Sequence, residues 1–203
     1  MNRRNFVQMT SMATIAAAQA ASGAKKKDDT INIGIIGCGS RGLGAVVNIL
    51  SVDKNVRLVA AGDLFPDKMA GAMEKLKRLN TGEFAGMIDI PEKNQFTGID
   101  NYKGVLGCDI DIVLHTTPPQ FRPLHLEAAV KANKHIFAEK PLGVDAVGLR
   151  KVMDLVKECK AKGLSFLSGF CYRHRSAMVE TVNKVHAGDI GEIKNIQCSY
   201  NTG

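Results

Sequence analysis

Residues 31–170 are predicted to fold as an α/β domain on a doubly wound parallel sheet. Two observations carry that prediction: short apolar runs alternate with segments of helical period, and a glycine-rich turn joins the first run to the first helix. Strands covered by helices on both faces need apolar residues along their whole length rather than at alternate positions. Runs at 31–37, 56–63, 110–116, 135–139 and 164–169 meet that requirement.

The helices follow from spacing. Leu43, Val46, Val47 and Leu50 recur at i, i+3, i+4 and i+7, and Leu149, Val152, Met153 and Val156 repeat the pattern between an N-cap at Asp145 and Gly163. Both stripes are expected to dock on the sheet. Residues 80–95 fit neither period and contain Gly82, Gly86 and Pro91, so they read as a loop insertion ahead of a weak edge strand near Phe96.

Gly37, Gly39 and Gly42 form G-x-G-x-x-G at the end of the first strand and the start of the first helix. Gly37 allows the tight turn, Gly39 leaves the backbone open to a pyrophosphate, and Gly42 lets helix and strand approach closely. The helix N-terminus offers N–H groups and partial positive charge to phosphate, so Cys38, Ser40 and Arg41 join the glycines as cofactor-binding residues. Asp63 ends the second strand 21 residues beyond Gly42. That combination is the fingerprint of a Rossmann dinucleotide site. A carboxylate there accepts hydrogen bonds from ribose hydroxyls and repels a 2′-phosphate, which favours NAD. Arg41 and Lys68 leave NADP open, and the alternative for Asp63 is a cap for the helix after Pro66.

The net charge of +7 does not mark a nucleic-acid protein. Arg3, Arg4, Lys25, Lys26 and Lys27 supply five of those charges before the first acidic residue, Asp28, leaving two for the rest of the chain and no basic block after Lys27. The five cysteines, Cys38, Cys108, Cys159, Cys171 and Cys198, show no C-x-x-C and no His/Cys ligand spacing, so they read as free thiols and no metal site is expected.

Residues 1–23 combine a charged tip at Arg3 and Arg4, a weakly apolar stretch, and an Ala18-Gln19-Ala20 cleavage site. The segment resembles a twin-arginine signal, the alternatives being an ordinary Sec signal or a disordered basic N-terminus, with residues 24–30 as a polar linker. It implies export of the folded protein by the twin-arginine translocase, to the periplasm or beyond.

After the run at 110–116 come Thr116-Thr117-Pro118-Pro119, a helix at about 121–132, and His135 through Ala138 leading into Glu139-Lys140-Pro141. Here the chain resembles the Gfo/Idh/MocA oxidoreductases, whose cofactor domain carries a T-P-P loop, a helix and an E-K-P turn. The resemblance runs from Ile31 to Gly203. It implies that Thr117, Pro118 and Pro119 border the cofactor cleft, and that Glu139 and Lys140 lie near the nicotinamide ribose and the reacting carbon, with Pro141 cis. A desolvated Lys140 would share a proton with the substrate hydroxyl while hydride passes to the nicotinamide, making it the catalytic residue. Tyr172 and Arg173 would face the nicotinamide or substrate. His174 and Arg175 read as solvated residues at a helix start, His125 and His135 as structural, and His115 as packed or chemical alike.

A helix at 178–186 and a turn at 188–191 lead into an alternating segment at 193–200, expected as the first strand of an α+β substrate domain spanning 171–203 and truncated at Gly203. The family's Asp and His that assist proton transfer would lie beyond it, and any homo-oligomer would form through that domain. The resemblance implies an exported NAD(P)-dependent oxidoreductase of a sugar, cyclitol or related polyol, holding its cofactor tightly. The alternatives are a glycosidase working by transient oxidation, against which the presence of Lys140 argues, and a non-catalytic nucleotide-binding protein.

Overall fold

Six parallel strands build one sheet in the computed structural model, which describes residues 29–201. They are β1 (Ile31–Ile36), β2 (Val56–Asp63), β3 (Gln95–Thr97), β4 (Ile112–His115), β5 (His135–Ala138) and β6 (Phe166–Ser168), in the spatial order β3-β2-β1-β4-β5-β6. The chain winds outward from β1 to one edge and then returns to the centre at β4 to wind toward the other. Direction reverses between β1 and β4, and their C-terminal ends open there into a crevice. The leader expected over residues 1–23 lies outside the described residues.

Alternation along β1 sends Ile33 and Ile35 to one face and Ile36 to the other. On the first face α1 (Ser40–Leu50) and α2 (Pro66–Leu79) bring Val46, Leu50 and Leu76 against Leu58. On the second, α3 (Asn101–Gly107), α4 (Arg122–Lys131) and α5 (Ala146–Ala161) bring Val105, Leu126 and Val152 against Val113 and Ile136. Each fully buried Leu, Ile or Val contributes about 2 kcal/mol, so burial on both faces holds the sheet between the helices.

Three expectations need correction. On α5 the buried row is Val152, Leu155 and Cys159, while Leu149, Met153 and Val156 are exposed. The helix carries two apolar rows, and contact with α4 selects one of them. Asp145 Oδ1 accepts from the Gly148 N–H at 2.6 Å and starts the helix, and Gly148 sits where a Cβ would lie 2.9 Å from Pro123. The segment at 193–200 forms no strand, since no strand among the described residues lies beside it to complete a ladder. Its Ile196 and Tyr200 are exposed.

The insertion at 80–95 is also more closely fastened than a free loop. Leu58 donates its N–H to Met87 O at 2.9 Å and accepts from Asp89 N at 2.9 Å, forming a parallel bridge with Ile88, and Phe84 and Met87 are buried. Beyond the sheet, α6 (Ser176–Ala187) ends at Gly188, whose φ of 88° only glycine adopts readily.

Candidate functional site

The crevice at the strand ends is a cleft of about 960 Å³. Its floor is the glycine turn. Gly37 takes φ 94° and donates to Gly62 O at 2.8 Å, so the chain leaves β1 and enters α1 within three residues. A Cβ on Gly42 would lie inside contact distance of Gly37 O and 2.7 Å from Thr116 Oγ1, whereas a Cβ on Gly39 would meet nothing within 4 Å. Helix α1 therefore packs closely against the turn after β1 and the Thr116 side chain beyond β4, and its N-terminus opens into the cleft with no side chain capping it. Free amides with open space above Gly39 fit a pyrophosphate.

Asp63 lines the same cleft, at the end of β2. Oδ2 accepts from Cys38 N at 2.7 Å and Oδ1 from Phe65 N at 3.1 Å, and each oxygen keeps an accepting site for a ribose hydroxyl. Helix α2 has Phe65 at its N-cap and no side-chain cap, so Asp63 braces the glycine turn instead of capping the helix. Cys38 is buried beneath the turn and donates to Gly62 O at 3.5 Å. Burial first, and the charge of Asp63 second, push its thiol up to about 12. Its contribution to the site is the backbone, as is that of Ser40, which is exposed and off the cleft wall.

Arg41 reaches across the cleft to the other half of the sheet. Its Nε and Nη2 donate to Glu139 Oε1 at 2.7 and 2.6 Å, so the guanidinium is occupied by a carboxylate, and Lys68 lines the cleft along with Asp63. Glu139 is buried and its Oε2 accepts from Lys140 N at 3.2 Å. The Lys140–Pro141 bond is cis, as expected. Lys140 lines the cleft but its side chain is exposed rather than desolvated, because no described residue covers that side.

Thr117 and Pro118 line the cleft, while Pro119 opens the turn Pro119–Phe121 that leads into α4. Tyr172 and Arg173 are not brought to the wall: they sit in the exposed turn Cys171–His174, with Arg175 stacked 5.7 Å from the Tyr172 ring, and Cys171 lines the cleft in their place. His135 is structural, its Nδ1 accepting from Ser165 N at 2.9 Å. Among the described residues no three His, Cys, Asp or Glu side chains are grouped to hold a metal.

Two features escaped the sequence reading. Arg122 is buried under the cleft, bonded to backbone carbonyls of two loops. His115 and His125 form a buried pair, His115 Nε2 lying 3.0 Å from His125 Nδ1 and 3.1 Å from Thr117 Oγ1, with Tyr102 stacked on His125 at 4.2 Å. An isolated histidine in a strand or helix gives no sign of a partner ten residues away, although both lie beside the T-P-P segment.

Burial holds His115 well below 6.5 and lowers His125 to about 4. The unfolded chain takes up protons below about pH 6.5 that the folded pair refuses, so stability is complete above that value and falls as the pH drops toward 4. His125 alone accounts for roughly 3 kcal/mol of that loss. Urea denaturation at pH 7 and pH 4.5 should show the midpoint falling, and an unchanged midpoint would mean that the pair accepts protons in place.

A sequence profile described as an oxidoreductase family with an NAD-binding Rossmann fold, GFO_IDH_MocA, matches residues 31–170. A glycosyl hydrolase family 109 protein of Solibacter usitatus is 26% identical over 98% of this chain and 46% of its own length. An inositol 2-dehydrogenase of Salmonella typhimurium is 24% identical over 80% of this chain and 44% of its own. Among solved structures, scyllo-inositol dehydrogenase from Lactobacillus casei with bound NAD(H) and scyllo-inositol superposes with a TM-score of 0.63 at 26% identity, covering 81% of this chain and 43% of that one. Myo-inositol 2-dehydrogenase from Lactobacillus plantarum gives 0.63 at 25% identity over the same shares. The chain spans somewhat under half the length of the relatives it matches.

Proposed function

The chain belongs to the Gfo/Idh/MocA oxidoreductase family, and on that premise we propose an NAD-dependent enzyme that oxidises a secondary alcohol of a cyclitol or sugar and reduces the matching ketone. The observation that carries the reading is the cleft itself, in which an uncapped helix N-terminus, Asp63 and Lys140 converge. The amides of α1 hold the phosphates, and Asp63 holds the adenosine ribose through its two unused accepting sites. Bound there, the nicotinamide supplies hydride transfer. Lys140 Nζ accepts the hydroxyl proton as the alcohol is oxidised and returns a proton to the carbonyl oxygen as the ketone is reduced, while Glu139, fixed by Arg41, accepts from the lysine's backbone N–H.

Titrating the full-length protein with NADH and NADPH, followed by fluorescence, tests the reading. NADH should bind about 10-fold or more tightly, because Asp63 opposes a 2′-phosphate, and Asp63→Ser should bring the two within about threefold. Absence of binding to either, with no dinucleotide released on denaturation, would overturn it. Turnover of scyllo- and myo-inositol then tests the substrate class.

The segment from Cys171 onward is read as the start of the substrate domain, and residues 1–23 as a twin-arginine leader for export, a route that suits a tightly held cofactor. The similarity to family 109 glycosyl hydrolases over 98% of the chain favours a second reading, glycoside cleavage through transient oxidation at the same site. Release of the aryl group from aryl glycosides, without net NADH formation, would select it.

A further inference from the structure

We infer that Arg122 is the positioning residue that fixes the Glu139–Lys140–Pro141 turn against the Thr117–Pro118 loop, and so sets where Lys140 Nζ can reach. The inference rests on the dinucleotide-dependent reading above and deepens it. Arg122 opens α4 and is only 4% exposed. Its Nε and Nη2 donate to Thr117 O at 3.0 and 2.8 Å, and its Nη1 donates to Pro141 O.

Both carbonyls stand where the sheet has stopped. The β4–β5 ladder ends with Glu139 N donating to His115 O at 2.9 Å, and past that rung the two chains diverge into loops. A buried carbonyl without a donor is costly, and the guanidinium serves as the missing rung for one loop on each side. Arg122 forms no ion pair with a carboxylate among the described residues, although Glu139 is near enough to act on its charge. A buried guanidinium bonded only to carbonyls is costly to desolvate, so a hydrocarbon side chain would serve packing better. What the guanidinium adds is direction: three donors in a rigid plane, divided between two loops.

Those loops meet at the chemistry. Thr117 and Pro118 border the cleft, and Pro141 directly follows Lys140. Lys140 is thus pinned on both flanks, by Arg41 through Glu139 and by Arg122 through Pro141. The glycine turn and Asp63, which hold the other end of the dinucleotide, make no bond to Arg122. Loss of the clamp should therefore separate binding from turnover.

The test uses the full-length protein with Arg122→Lys, which keeps the charge but cannot span both carbonyls, and Arg122→Gln, which keeps a donor for Thr117 alone. For whichever inositol the wild type oxidises, kcat should fall about 100-fold in both variants, with the NADH dissociation constant within about threefold. Independently of turnover, the ¹³C-dimethyl resonance of reductively methylated Lys140, assigned by its loss in Lys140→Ala, should broaden or split in both variants.

Retained kcat with an unchanged Lys140 resonance would overturn the inference, as would a parallel fall in kcat and NADH affinity, or failure of both variants to fold. A wild type inactive on inositols would count against the proposed substrates, and the Lys140 resonance would then decide the role of Arg122.

Discussion

Gly39→Ala should abolish dinucleotide binding and leave the protein folded. A Cβ at this position meets nothing within 4 Å, and the residue's φ of −70° suits alanine, so stability should change by no more than about 0.5 kcal/mol. The methyl group instead fills the space into which the α1 amides open, and NADH affinity should fall about 100-fold or more, equivalent to ~2.7 kcal/mol. Gly42→Ala gives the opposite pairing. Its Cβ collides with Gly37 O and with Thr116 Oγ1, so overpacking should cost about 1–3 kcal/mol of stability as well as binding. Thermal melts and NADH titrations of the two variants, side by side, separate a vacant surface from a tight contact. Wild-type affinity in Gly39→Ala would remove the phosphate from this turn.

Lys140→Met should leave NADH affinity within about threefold and lower the rate of hydride transfer about 10²–10⁴-fold, the range for loss of a positioned proton donor or acceptor. The side chain is exposed on the cleft wall and bonded to nothing that supports the fold, so the variant should melt with the wild type. Rapid mixing of enzyme, NAD and inositol, with NADH absorbance as the signal, isolates the step. A rate within about fivefold of wild type would assign proton movement to another group.

What could be read from the sequence was local. A run such as Val56 to Asp63 is a strand because its own residues say so, and Gly37, Gly39 and Gly42 specify their turn through their own backbone needs. The failures share the opposite character. Helix α5 carries two apolar rows, and only its neighbour α4 decides that Val152, Leu155 and Cys159 turn inward. Helix α3 is seven residues long, too short for a repeat to stand out, yet Tyr102, Val105 and Leu106 are buried in the core. Arg41 and Glu139 are 98 residues apart and Arg122 and Pro141 are 19, so each pair exists only once the sheet has closed. Among the site residues, those that act through the backbone were recognisable from composition and spacing. Arg41 and Glu139 were named without their pairing across the cleft, and Arg122 was not named at all.

Oxidants and alkylating reagents attack the thiolate, and a thiol whose ionisation burial pushes up to about 12 presents very little of it at neutral pH. The sulfur of Cys38, buried under the glycine turn, is therefore chemically quiet despite its central place. Peroxide or a stray disulfide would spend itself on exposed Cys171 or Cys198 first. A domain carried into an oxidising compartment would keep its phosphate-facing turn intact long after its surface thiols had aged.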